Sequence, residues 1–99
     1  MSRFAMYELD PIGTQRNRSF YGKALVVIDK DLGNKYLYSY CEAVAMIDTD
    51  GIIHRIWPEW SATTGRHIRA FCAEFGADPI RCKAEWDQLE PEFLCVPIN

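Results

Sequence analysis

The sequence predicts an α+β fold, an antiparallel sheet of three to four strands with one main helix packed on one face and a short C-terminal helix. Three observations carry this. β-Branched and aromatic residues alternate between Phe20 and Trp57, Gly, Asn and Asp punctuate that stretch, and a run of helical period begins after Pro58.

Phe4 to Leu9 has the composition of a short strand, and Asp10-Pro11-Ile12-Gly13 breaks it ahead of a polar loop from Thr14 to Ser19. Residues 1–18 therefore read as an N-terminal arm. In the next strand, Phe20, Ala24, Val26 and Ile28 share one face and Tyr21, Lys23, Leu25 and Val27 the other. Asp31-Leu32-Gly33-Asn34 supplies turn chemistry. The strand Lys35 to Cys41 comes next, with Tyr36, Tyr38 and Tyr40 on one face and Leu37, Ser39 and Cys41 on the other. Ala43 to Ile47 then runs into Asp48-Thr49-Asp50-Gly51, whose Asp-Gly pair signals a hairpin because glycine accepts positive φ. Ile52 to Trp57 is the returning strand.

Pro58 lacks a ladder donor and ends that strand, while the Ser61 hydroxyl suits a helix N-cap, so the main helix starts at Ala62. Ile68, Phe71, Cys72 and Phe75 fall at i, i+3, i+4 and i+7, a stripe that faces the sheet, and Gly76 stops the helix. Gly65 reads as a point of close packing on the sheet. Cys82 to Leu89 reads as a second helix with Cys82, Trp86 and Leu89 on one face, ended by Pro91. The apolar tail, Phe93, Leu94, Val96 and Ile98, either adds an edge strand or packs over the core. Residues 1–99 thus form one domain, with a β-β-β-α core over 19–76 and a helix and tail over 77–99.

An apolar share of 48% and a charged share of 25% suit a folded core and not a disordered chain. The net charge of -3 argues against a general nucleic-acid coat. Charge is nevertheless uneven: residues 1–23 carry four cations against two carboxylates, and residues 77–99 two cations against five carboxylates. No signal-peptide core and no membrane-length apolar run appear, so a cytoplasmic protein is expected. Cys41, Cys72, Cys82 and Cys95 contain no Cys-x-x-Cys pair, and His54 and His67 are not spaced with them as zinc ligands. Buried or half-buried free thiols are expected, with neither metal nor cofactor.

No catalytic set emerges. His67, between Arg66 and Arg69, is the residue most able to exchange protons near neutral pH, yet only Thr63 and Glu74 lie on its flank. Thr63-Thr64-Gly65-Arg66 opens a helix, where anions can bind, but lacks the glycine-rich loop and lysine of a phosphate cradle. Asp48 and Asp50 read as turn residues. Two surfaces remain. Tyr36, Tyr38, Tyr40, Trp57 and Trp60, with Arg66 and His67, form an aromatic and cationic contact set for a partner protein. Arg16, Arg18 and Lys23, interleaved with Phe20 and Tyr21, form the alternative, a nucleic-acid surface. A small sheet with one helix also leaves a face that the arm, the tail or a second copy of the chain must cover.

Ser19-Phe20-Tyr21-Gly22-Lys23-Ala24, then Leu37-Tyr38-Ser39-Tyr40 with Val44-Ala45, then Ser61-Ala62-Thr63-Thr64 with Arg66-His67-Ile68 and Phe71, run in a distinctive order. Over Ser19 to Gly76 the chain resembles a small domain of unknown function found in phage and mobile-element proteins of bacteria. The resemblance implies a short accessory protein and brings no catalytic residue with it. The expectation is a non-enzymatic module that binds a host or phage protein, an inhibitor of a bacterial defence system being one form.

Overall fold

The computed structural model describes residues 3–9 and 23–97. Strands β1 (Phe4–Glu8), β2 (Ala24–Asp29), β3 (Lys35–Ser39), β4 (Glu42–Ile47) and β5 (Ile53–Arg55) precede helices α1 (Ala62–Phe75) and α2 (Lys83–Asp87). The strands make one antiparallel sheet in chain order.

The α+β class and the two helices agree with the sequence, but the sheet has five strands instead of three to four. The added strand comes from the predicted arm. β1 pairs with β2 from Phe4↔Asp29 to Glu8↔Leu25. Arg3 fastens its start by donating to both oxygens of the Asp29 carboxylate, at 3.0 and 2.8 Å, a fork geometry stronger than a single neutral hydrogen bond. Asp29 Oδ1 also accepts from the N–H groups of Asp31 and Leu32, so one carboxylate joins β1 to the β2–β3 turn.

Alternation along the strands gives the sheet two covered faces. Ala24, Val26, Leu37, Ala45, Ile47 and Ile53 meet Ile68, Phe71 and Cys72 of α1 in the larger core. On the other face Val27, Tyr36, Tyr38 and Met46 form a second cluster, against which Leu94 and Val96 of the tail pack. The tail therefore covers the second face, touching the sheet edge by an isolated parallel bridge between Arg55 and Pro91. Ile98 lies outside the described residues.

Helix α1 has the predicted bounds, because its start and stop are local. Ser61 Oγ accepts from Thr64 N at 3.1 Å, and Gly76 adopts φ 69° with its N–H turned back to the Cys72 carbonyl. Gly65 serves a different neighbour from the one expected. A Cβ there would overlap the Trp60 ring, so the missing side chain seats a tryptophan against the helix. Trp60 in turn meets Trp86 at 6.2 Å between ring centroids.

Helix α2 is shorter than the predicted Cys82 to Leu89. Cys82 is its N-cap and exposed, whereas Trp86 is fully buried and donates its indole N–H to Glu59 O at 2.8 Å. Arg55 joins α2 to the sheet. Its buried guanidinium donates to Trp57 O at 3.3 Å, to Leu89 O at 2.8 Å and to Pro58 O, and it lies 5.6 Å from the Trp86 ring centroid. Asp87 Oδ1 stands 3.5 Å away as its counter-charge.

Replacing Arg55 by Met keeps the apolar stem but takes the donor from three carbonyls, while exposed Asp87 keeps Lys83 at 2.6 Å. Arg55→Met is expected to lower stability by about 3 kcal/mol. The urea midpoint measures this, and an unchanged midpoint would show that the guanidinium bonds are dispensable.

Candidate functional site

The β3–β4 connection departs from simple alternation, and the candidate surface arises from that. Pairing shifts between Leu37 and Tyr38, so that Leu37 faces Ala45 while Tyr38 faces Ala43. Val44 is the extra residue of a bulge, and Val44 and Ala45 both belong to the larger core. The strands close through Tyr40 and Cys41, both left-handed, at φ 52° and 69°. Such a turn favours Asn-Gly, and a residue carrying a Cβ costs roughly 1–2 kcal/mol there.

This geometry divides the predicted aromatic set. Tyr36 and Tyr38 are 6% and 3% exposed, sealed in the second cluster beneath the tail, so they are core residues and not the contact residues expected from alternation. Tyr40 leaves their face because the turn begins there. It is 54% exposed, and its ring lies 5.8 Å from that of His67. Trp57 is half-buried beside the larger core, and Trp60 is held between Gly65 and Trp86. Arg66 is exposed, as is Lys23, whose carbonyl accepts from Tyr40 N at 2.9 Å. Arg16 and Arg18 lie outside the described residues.

His67 is only 1% exposed. Its Nδ1 lies 2.7 Å from Ser39 Oγ, which is 3.1 Å from Thr64 Oγ1, so the end of β3 is tied to the first turns of α1 by a buried polar chain. Burial, with Arg66 and Lys23 adding like charge, pushes His67 down to about 4 and keeps the ring neutral. A neutral imidazole beside a hydroxyl can accept its proton, but Ser39 is buried almost as deeply as His67 and offers no open face to a substrate. Of the two residues that the sequence places on the His67 flank, Glu74 is engaged elsewhere. It accepts from the Tyr7 hydroxyl at 3.1 Å, linking α1 to β1.

A groove of about 320 Å³ opens where three segments meet: Cys41 to Ala43 of the turn and β4, Ile56 to Pro58 after β5, and Glu92 to Val96 of the tail. Each wall has its own tether. Val44 O, at the bulge, accepts from both Ile56 N and Trp57 N, at 2.9 and 3.0 Å, and so sets the position of Trp57. The tail is held by Glu92 N donating to Arg55 O at 2.7 Å and by the Glu92 carboxylate 2.8 Å from His54 Nδ1. Beside them Phe93 is fully exposed.

His54 lies between two carboxylates, with Nε2 2.7 Å from Asp48 Oδ2. The hydrogen bond that it donates to Asp48, and more weakly that to Glu92, hold its pKa above the ordinary 6.5 against partial burial. Asp48, whose Oδ1 also accepts from Asp50 N and Ile52 N, is lowered below 3.8 chiefly by His54. The turn role read for Asp48 is thus joined by an ion-pair role. Asp48 and His54 flank an Asp-Gly turn, so their closeness was open to hairpin register; Glu92, far along the chain, carried no such signal.

The thiols also differ from expectation. Cys72 is buried and pushed up to about 11 by burial, whereas Cys41, Cys82 and Cys95 are exposed, at a turn, a helix cap and the tail; all are free. Among the described residues no group of three or more His, Cys, Asp or Glu is placed to hold a metal ion. None of their helices is long and apolar enough to cross a membrane.

The chain belongs to a family of unknown function, DUF8033, whose family model matches residues 7–88. The match runs from the end of β1 to just beyond α2, taking in both Arg55 and the His67 network. Comparison with curated proteins and with solved structures gives no match.

Two outcomes test this geometry. A histidine raised above 6.5 contributes stability that is complete below 6.5 and lost as pH rises through the raised value, while the lowered Asp48 contributes above 3.8 and loses its part as pH falls. Melting temperature is therefore expected to fall as pH rises above 6.5 through the raised pKa of His54, and His54→Gln to flatten that slope. Equal slopes in both proteins would dismiss the pairing of His54 with Asp48 and Glu92 as a source of stability. Cys41→Gly relieves the left-handed turn without removing buried area, and is expected to raise stability by about 1 kcal/mol in a denaturant titration.

Proposed function

We propose that the protein is a non-enzymatic accessory module of a phage or mobile element that acts in the host cytoplasm by binding a host or phage protein. Inhibition of a bacterial defence system is the specific form of this reading. One observation carries it. Phe93 is fully exposed beside the Trp57-lined groove, with exposed Tyr40 at the adjoining turn, and large apolar side chains left in water beside a concavity are what a protein interface uses. The left-handed Tyr40-Cys41 pair adds support, since backbone strain of this kind gathers at binding surfaces.

A second reading has its own observation. Lys23 and Arg66 both act on His67, whose ring exposed Tyr40 meets at a tilt of 41°, so an aromatic side chain and two cations converge as on a single-stranded nucleic-acid surface.

Affinity purification of the tagged chain from host lysate separates the two. A stoichiometric protein partner, weakened by Tyr40→Ala, is expected; recovery of no protein would remove the leading reading. The second reading requires oligonucleotide shifts at low salt that fade as salt rises, and it fails if no shift occurs.

A further inference from the structure

The geometry points to the groove between the β3–β4 turn, the segment after β5 and the tail as the seat of a basic, apolar segment of the partner protein. This rests on the protein-binding reading and names the chemistry of its partner. The lining is predominantly apolar, with Ile56, Trp57, Leu94 and Val96 among its residues. A volume of about 320 Å³ sits at the small end of ligand pockets, enough for one or two large side chains and too little for a whole cofactor.

Charge selects among occupants. Among the described residues the lining has Glu42 and Glu92 as its carboxylates and contains no lysine or arginine. Glu59 comes after Pro58 in the chain, Glu90 precedes Pro91 by one residue, and both are exposed, so the segments that adjoin the lining also carry carboxylates. Glu92 is already paired with His54, which leaves exposed Glu42 as the carboxylate open to an incoming cation. A polyanion is repelled by this rim, and a second copy would bring the same carboxylates to it. A lysine or arginine beside a leucine-sized side chain satisfies both features: the cation meets Glu42, and the apolar group enters between Trp57 and Leu94. Docking also buries Phe93, which stands in water at the rim.

The test pans a random dodecapeptide library against the immobilised full-length chain and measures the enriched peptides by Trp fluorescence. Peptides pairing a large apolar residue with lysine or arginine are expected. Their affinity should fall about tenfold in Phe93→Ser, which removes an anchor, and about tenfold in Glu42→Lys, which reverses the rim charge. Both positions are exposed, so circular dichroism should find both variants folded. Enrichment of acidic peptides, no enrichment, or affinities unchanged in both variants would overturn the assignment. The lysate purification, repeated with the same two variants, keeps the two failures apart. A protein partner retained by both variants sinks the groove and leaves the protein-binding reading standing, whereas absence of any partner removes that reading itself.

Discussion

The Arg55 guanidinium is the contact on which the C-terminal third depends. Taking a cation out of water costs several kcal/mol, and the cost is offset only when each donor finds an acceptor. Here the fork spreads over the carbonyls of Trp57, Pro58 and Leu89, with Asp87 as counter-charge and the Trp86 face behind it. A lysine carries its three donors on one nitrogen and lacks the spread of the fork that reaches these separate carbonyls. Through these bonds the segment after β5, the end of α2 and the sheet edge become one body, and Trp86 is held where it supports Trp60 on Gly65.

The groove is a consequence of that arrangement combined with a bulge. One extra residue, Val44, turns β4 so that two successive side chains enter the core, and it leaves a carbonyl that takes both Ile56 N and Trp57 N. After Arg55 the chain leaves the sheet instead of continuing the ladder, and the carbonyls of Trp57 and Pro58 turn back to the Arg55 guanidinium. The tail returns along β5 and is fixed by Glu92 at His54, while its apolar side chains cover Tyr36 and Tyr38. Three walls from separate parts of the sequence are each held by a different interaction, so the surface is set by the fold and not by any one loop.

Much of the architecture was legible because its signals are local. Ser61, the Ile68-Phe71-Cys72-Phe75 stripe and Gly76 lie within a few turns of one another, and the helix they describe is the helix observed. β1 was legible as a strand but not as a member of the sheet, since its partner is on the far side of residues 10–22. The tyrosines show the limit of alternation. Their period of two holds for Tyr36 and Tyr38 and fails at Tyr40, where the backbone enters a left-handed turn that no glycine or asparagine announces. The exposed thiols fail for a similar reason, because local position, not residue type, decided their burial.

Sequence alone determined the α+β class, the antiparallel hairpins and the start, face and end of the main helix, all of which rest on periodicity and capping over short separations. Tertiary structure decided which aromatic residues are core and which face water, which histidine is pushed toward its neutral form and which toward its charged form, and that an arginine within a strand organises the C-terminal segments. Those outcomes depend on burial and on partners tens of residues away, among them Ser39 for His67, Glu92 for His54 and Leu89 for Arg55. No local pattern encodes such distances, because they exist only once the sheet has closed and the tail has returned across it.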